Sequence, residues 1–327
     1  MKNITLQDIA NMANCSKNTA SLILRGATKF SQELTDCVKK TAKKNGYIPN
    51  YAARNLASRK SDIVGIYTAT INDPVRAQIV NDLITNIHNI DYKPFLGIGS
   101  DYEENWLTSS WFKTFKYLNV ALLVLVAHGA VKPIETTKDV PLLILGCQPP
   151  ERNIKCDYIA LDRSEVAQIA IDHLTSKGYE YILNACSANS IIGHKFLTEL
   201  KKMNLSYNHC ELNIKDSYNE LIRIINIYYK IKSNKRKAIF FSDSLLAIKF
   251  MEIAIKAKIK IPKELAVISY DFFPWADALK VPLTTICQPI EQMSQRAKEI
   301  IKYRLEHNNL PYSHETLSHK LVIRKST

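Results

Sequence analysis

From residue 63 onward, short apolar runs alternate with helical stretches, and the alternation comes in two successive series. The first holds IVGIYTA (63–69), KPFLGIG (93–99), VALLVLV (120–126) and PLLILG (141–146), with a helix expected around Val75–Asn89. The second holds DYIALD (157–162), EYILNA (180–185), KAIFFSD (237–243) and LAVISYD (265–271). Its helices are expected over Val166–Lys177, ending near Lys202, and over Leu245–Lys258. Apolar runs of this length without polar alternation are strands buried on both faces, the mark of a parallel sheet covered by helices. Two such series predict two doubly wound α/β lobes. The run 120–126 is far too short to cross a bilayer, so no membrane partner is expected.

Residues 1–47 have a different texture and read as three short helices. Thr5 is placed to N-cap the first, with Asp8 three residues on in a capping-box position. Leu6, Ile9, Ala10 and Ala13 then share one helical face. Asn14-Cys15-Ser16 interrupts the pattern, and Ser16 begins a second helix with Ala20, Ile23 and Leu24 inward and Gly26 as its stop. Ser31 caps a third, with Leu34, Val38 and Ala42 inward and Asn45-Gly46 as the stop. Pro49 and the polar stretch 50–62 form a linker. Within it, Tyr51–Ser58 has good helix formers but too few apolar residues to stand alone.

Charge is distributed unevenly. Residues 1–60 carry eleven cations and three anions, which places +8 of the chain's net +13 in less than a fifth of its length. That concentration points to a polyanionic partner and marks the first segment as a nucleic-acid headpiece. The seven cysteines show no CxxC spacing, so neither a zinc ribbon nor a disulfide framework is expected, and a reducing cytoplasm fits. MKNITLQDIANMA holds no continuous apolar run, so a secretory signal is not expected. No GxGxxG, GxxxxGK, HExxH or GxSxG occurs, and the eight histidines are scattered. No catalytic residues, cofactor or metal ligands are expected, and the chain is not read as an enzyme.

Residues 5–25 fit a helix-turn-helix. Such a motif presents short polar or cationic side chains at the start of its second helix, where they reach base edges in the major groove. Ser16, Lys17, Asn18, Thr19 and Ser21 occupy that start. Asn18 suits a bidentate pair with adenine, and Lys17 suits guanine or a phosphate. A solvated surface helix is the plainer alternative, which the clustered charge and the linker that follows disfavour.

TLQDIANMANCSKNTASLILRG, together with GYIPNYAARNLASRKSDIVGI, resembles the lactose-repressor (LacI/GalR) family of bacterial regulators. VISYDFFPWADALKVPLTTICQPIEQMSQRAKEII and the closing HKLVIRKST resemble its C-terminal part. The likeness is weaker over residues 100–155 and 184–235. It implies an all-α helix-turn-helix headpiece (1–48), a hinge helix and linker (49–62), and a two-lobed, periplasmic-binding-protein-like α/β effector and dimerisation domain (63–327). It also implies a cytoplasmic regulator of transcription, with a repressor the leading expectation.

The resemblance assigns Lys17 and Asn18 to base reading and Ser16, Thr19 and Ser21 mainly to phosphates, with Thr5 and Arg25 completing the headpiece contacts. Leu22 stands where family members often carry arginine. Leucine can touch a thymine methyl but cannot donate to guanine, so an unusual half-site is expected. Leu56 falls on the family's minor-groove wedge, with Asn50, Ala53 and Arg54 beside it and Lys60 on the backbone. Paired hinges imply a homodimer and a pseudo-palindromic duplex operator. With no oligomerisation helix after Thr327, a dimer is preferred to a tetramer.

For the effector, strand ends between the lobes are the expected site. The resemblance points to Asp271 as a ligand contact, with Ser242 and Asp243 at a similar strand end, Ser217 or Tyr218 near an aromatic position, and Trp275 just beyond Asp271. Asp243 reads equally well as an N-cap, and Asp73 and Arg76 either bind ligand or cap and solvate their helix. Where many members carry an effector-binding arginine there are only His194 and Lys195, and Asp162-Arg163-Ser164-Glu165-Val166 lacks the usual glycines. The effector class is therefore open, with a sugar or sugar derivative as a candidate. An effector-independent regulator and a solute-binding protein are the alternatives.

Overall fold

The computed structural model describes residues 4–24, 26–47, 61–99, 110–129, 140–150, 154–271, 274–307 and 310–327. The chain divides into two compact units, Met1–Ser61 and Asp62–Thr327.

The first unit holds α1 (Leu6–Met12), α2 (Lys17–Leu24) and α3 (Gln32–Lys44). Local chemistry sets each boundary. Thr5 Oγ1 accepts the Asp8 N–H at 3.3 Å while Asp8 Oδ2 accepts the Thr5 N–H at 2.9 Å, a complete capping box. Ser16 Oγ accepts the Thr19 N–H at 3.0 Å, and Ser31 Oγ accepts the Leu34 N–H at 3.3 Å. All three helices end in the same way. Asn14, Gly26 and Gly46 take φ values of +49°, +89° and +61°. The next residues, Cys15, Ala27 and Tyr47, donate back to Ala10, Leu22 and Ala42 carbonyls at 3.0, 3.1 and 2.9 Å. This is a Schellman closure, which satisfies helix-end carbonyls that would otherwise lack donors. Ile9, Ala10, Ala13, Ala20, Ile23, Val38 and Ala42 form the buried core, flanked by half-buried Leu6, Leu24 and Leu34.

In the second unit, the N-terminal lobe contains β1 (Ile63–Thr68), α4 (Pro74–His88), β2 (Lys93–Ile98), α5 (Ser110–Tyr117), β3 (Leu122–Gly129), β4 (Leu142–Cys147) and β5 (Asp157–Leu161). The chain then enters the C-terminal lobe through α6 (Ser164–Ser176), β6 (Tyr181–Ser187), α7 (Ile191–Lys202), β7 (Ser206–Leu212), α8 (Ser217–Lys230), β8 (Lys237–Phe241), α9 (Ser244–Lys256), β9 (Ala266–Tyr270) and β10 (Thr284–Cys287). It returns through α10 (Ile290–Glu306) and β11 (His314–Leu317), and ends in β12 (Lys320–Val322).

The two six-stranded sheets have orders β11-β5-β4-β3-β1-β2 and β12-β10-β9-β8-β6-β7. Every pairing is parallel except that of β10 with β12. α4 and α10 cover one face of the first sheet, burying Val75, Leu83, Met293 and Ile301 against Val64, Ile66, Val124 and Leu145. α5 covers the other face. Gly65 is required there, because a Cβ on it would lie 2.9 Å from both Leu123 Cδ1 and Phe115 Cδ1. In the second sheet, α8 and α9 cover one face and α6 and α7 the other.

β5 belongs to the first sheet but α6 packs on the second; β10 belongs to the second but α10 packs on the first; β11 and β12 are split likewise. The chain thus crosses between the lobes at 162–163, 288–289 and 318–319. These three crossovers bring the ends of strands from both lobes together.

Among the described residues, no helix is long and apolar enough to cross a membrane, and no group of three or more His, Cys, Asp or Glu side chains is arranged to hold a metal ion.

Candidate nucleic-acid interface and effector cleft

The start of α2 is built to meet an anion. Its first turn holds no acidic residue, and Lys17 and Asn18 are exposed there. The N-terminal N–H groups of a helix already favour negative charge, and Lys17 adds to that field. Ser16 Oγ and Thr19 Oγ1 lie 2.8 Å apart, so one hydroxyl proton is spent between them. The second remains available to a phosphate oxygen. Ser21 and Leu22 are half-buried one turn on, and Thr5 is exposed with its side chain committed to the capping box. Arg25, Asn50, Ala53, Arg54, Leu56 and Lys60 lie outside the described residues.

In the second unit, a polar cluster gathers at the crossovers. Arg163 is 2% exposed and donates from Nη2 to the Gly146 carbonyl at 2.9 Å. The phenol of Tyr270, the last residue of β9 and itself 2% exposed, lies in the field of this guanidinium. Burial pushes the Tyr270 phenol far up, and Asp271 and Asp73 push it further while Arg163 opposes. Asp73 of the N-terminal lobe and Asp271 of the C-terminal lobe thus both bear on the charge of this one phenol.

Asp271 takes φ +90°, a conformation an L-residue adopts only when its surroundings hold it there. Its N–H donates to the Ile286 carbonyl at 2.9 Å, and its Oδ1 accepts from Gln288 Nε2 at 3.1 Å. At the first crossover, the Ser164 hydroxyl bonds Asp162 Oδ1 at 2.6 Å and holds that carboxyl below the usual range, helped by Gln148. At the third, Glu165 Oε1 accepts both the backbone N–H of His319 at 2.6 Å and its ring Nδ1 at 2.7 Å.

The other residues singled out from the sequence take different positions. Asp73 Oδ1 caps α4 through the Arg76 N–H at 3.0 Å, and Arg76 is half-buried. Asp243 caps α9 through the Leu246 N–H at 3.0 Å. The half-buried Ser242 donates its backbone N–H to the Ala185 carbonyl at 3.1 Å. Tyr218 and Trp275 are each 64% exposed, and the charged neighbour of Tyr218 is Lys256 of α9. Arg163, Glu165, Tyr270, Gln288 and His319 are among the members of the cluster that sequence reading did not assign. The available signal was the charged pair Arg163 and Glu165 inside the otherwise apolar run IALDRSEVAQIAI.

A helix-turn-helix unit with an exposed, cationic second helix, joined to two α/β lobes with polar strand ends at three crossovers, defines a DNA-binding regulator with a small-molecule sensing domain. Comparison with known proteins narrows the class. Residues 5–50 match the family described as bacterial regulatory proteins, lacI family, and residues 171–327 match the periplasmic binding protein-like domain. The chain thus joins a LacI-family helix-turn-helix domain to a periplasmic-binding-protein-like domain, and the curated relatives it matches include LacI-family regulators. It is 27% identical to the NTD biosynthesis operon regulator NtdR of Bacillus subtilis, over 99% of each chain. It is 22% identical to the ribose operon repressor of Haemophilus influenzae, over 98% of each. Its fold is that of the Lac repressor dimer bound to operator and the anti-inducer ONPF, with a TM-score of 0.80 at 16% identity over 99% of each chain.

Proposed function

We propose that this chain is a repressor that binds a pseudo-palindromic operator as a cytoplasmic homodimer, and that a small hydroxylated effector held between its lobes changes operator affinity. It acts by binding and carries no catalytic activity. Residues 1–48 read the major groove, with Lys17 and Asn18 on bases and Thr5, Ser16, Thr19, Ser21 and Arg25 on the backbone. Residues 49–62 enter the minor groove, with Leu56 as the wedge beside Asn50, Ala53 and Arg54, and Lys60 on phosphate. Residues 63–327 dimerise and sense.

The polar groups at the crossovers carry the sensing half of this reading: Asp271 of the C-terminal lobe is fixed by Gln288, and the buried Arg163 is held on the Gly146 carbonyl of the N-terminal lobe. A ligand there contacts both lobes, and its differential affinity for two lobe poses is what transmits a signal. The relative named for a ribose operon supports a sugar-like effector. Selection of duplexes bound by the full chain from a random pool tests the reading. It should return an inverted repeat, and recovery of unrelated sequences would refute it.

A further inference from the structure

A directional hydrogen-bond chain runs through the crossovers from Tyr270 to Glu165. Glu165 as a carboxylate can only accept, so the His319 Nδ1 that lies 2.7 Å from it carries the proton. In the neutral ring Nε2 is then bare, and it accepts the Tyr270 O–H at 3.3 Å. Each donor has an acceptor, in the order Tyr270, His319, Glu165. The two rings also meet edge to face, with centroids 5.5 Å apart. This chain ties the start of α6, the third crossover and the end of β9 together, with the His319 side chain fully covered.

A second proton on His319 breaks the order. Nε2–H then faces the Tyr270 O–H that had donated to it, and that hydroxyl must turn away. Protonation at the crossover thus breaks the link between His319 and the end of β9. We propose that His319 is a positioning residue whose neutral form holds the lobe pose and whose protonated form releases it, so that operator affinity falls as pH drops from about 7.5 to about 5.5.

The groups facing His319 are Glu165 of α6, Asp162 and Arg163 of the first crossover, and Tyr270 of β9. Glu165 and Asp162 favour the charged ring; burial, the largest influence, and Arg163 oppose it and hold the ring below its ordinary range. None of the eight histidines lies in residues 1–60, so the DNA-reading segment has no imidazole of its own to titrate in that window. Acidification also raises net positive charge, which by itself strengthens binding to phosphates. A fall in affinity on acidification is therefore opposite in sign to the generic electrostatic response.

The inference rests on the operator-binding reading above, and the experiment separates the two. Operator affinity of the full chain for its selected duplex is measured from pH 7.5 to 5.5 at fixed ionic strength. The wild type should lose about fivefold or more. His319→Gln offers an amide N–H to Glu165 and a carbonyl to Tyr270, so it mimics the neutral ring and should keep its neutral-pH affinity throughout. Glu165→Gln removes the carboxylate that favours protonation and should move the transition to lower pH. A flat or rising wild-type profile, or a His319→Gln profile that falls like the wild type, would overturn the inference. Absence of specific binding at pH 7.5 would instead overturn the operator-binding reading.

Discussion

Gln288 donates its side-chain N–H to Asp271 Oδ1 across 3.1 Å, which joins the second crossover to the end of β9. Asp271 takes φ +90° at this junction. An Asp271→Asn variant keeps Oδ1 for Gln288 and tolerates the left-handed backbone, so the fold is expected to survive. It loses the charge of the acceptor proposed for the effector, with an expected cost of about 1.5–3 kcal/mol, roughly tenfold to a hundredfold in effector affinity. Calorimetry with any metabolite found to shift operator affinity checks this. A variant that binds that metabolite like the wild type would remove Asp271 from the site.

The N-terminal lobe is fastened by a different pair. Arg304 Nε and Nη2 reach Asp157 Oδ2 and Oδ1 at 2.9 and 2.7 Å, and the two residues are 3% and 1% exposed. The remaining donors serve the Leu310 and Pro311 carbonyls, and Asp157 also accepts the Ser313 N–H. Arg304→Leu leaves a buried carboxylate and two carbonyls without their cation. Its expected cost is about 3–5 kcal/mol in denaturant unfolding. Loss of under 1 kcal/mol would show that the pair contributes little to this lobe.

Stability should also fall in mild acid. Burial is the largest influence holding His173, His209 and His319 below the ordinary value of 6.5. A histidine with a depressed folded pKa is protonated first in the unfolded chain. Its contribution is complete above the unfolded pKa and is lost as pH falls through the folded one. Asp162 and Glu315 are also depressed, but they titrate lower and leave the window between about pH 7.5 and 5.5 to the histidines. Urea unfolding at the two pH values should show the weaker protein at the lower one, and equal midpoints would contradict this.

How much was legible in the sequence follows from how local each determinant is. The headpiece helices begin at Thr5, Ser16 and Ser31 and end at Asn14, Gly26 and Gly46, because caps and left-handed stops act within a few residues. The lobes were readable because runs such as LLILGC have no stable place except a strand covered on both faces. Asp73 and Asp243 stayed ambiguous, and the structure shows both capping helices. Of the chain from Tyr270 through His319 to Glu165, only the Glu165 charge in its otherwise apolar run left a sign in the sequence. Its members lie on three segments that meet only once both lobes have folded, and the same holds for Asp157 and Arg304. The +90° backbone of Asp271 has no sequence signal, since aspartate usually sits elsewhere on the map.

The central claim is sequence-specific DNA binding by a cationic headpiece, and salt tests it most directly. The affinity of the full chain for its selected duplex and for a scrambled duplex is measured by fluorescence anisotropy between about 50 and 200 mM salt. Each neutralised phosphate adds roughly −0.9 to the log–log slope, so both affinities should fall steeply. The preference for the selected duplex should persist, and Asn18→Ala should relax it at one operator position by about 1–3 kcal/mol. Salt-independent binding, or equal affinity for the two duplexes, would contradict the account.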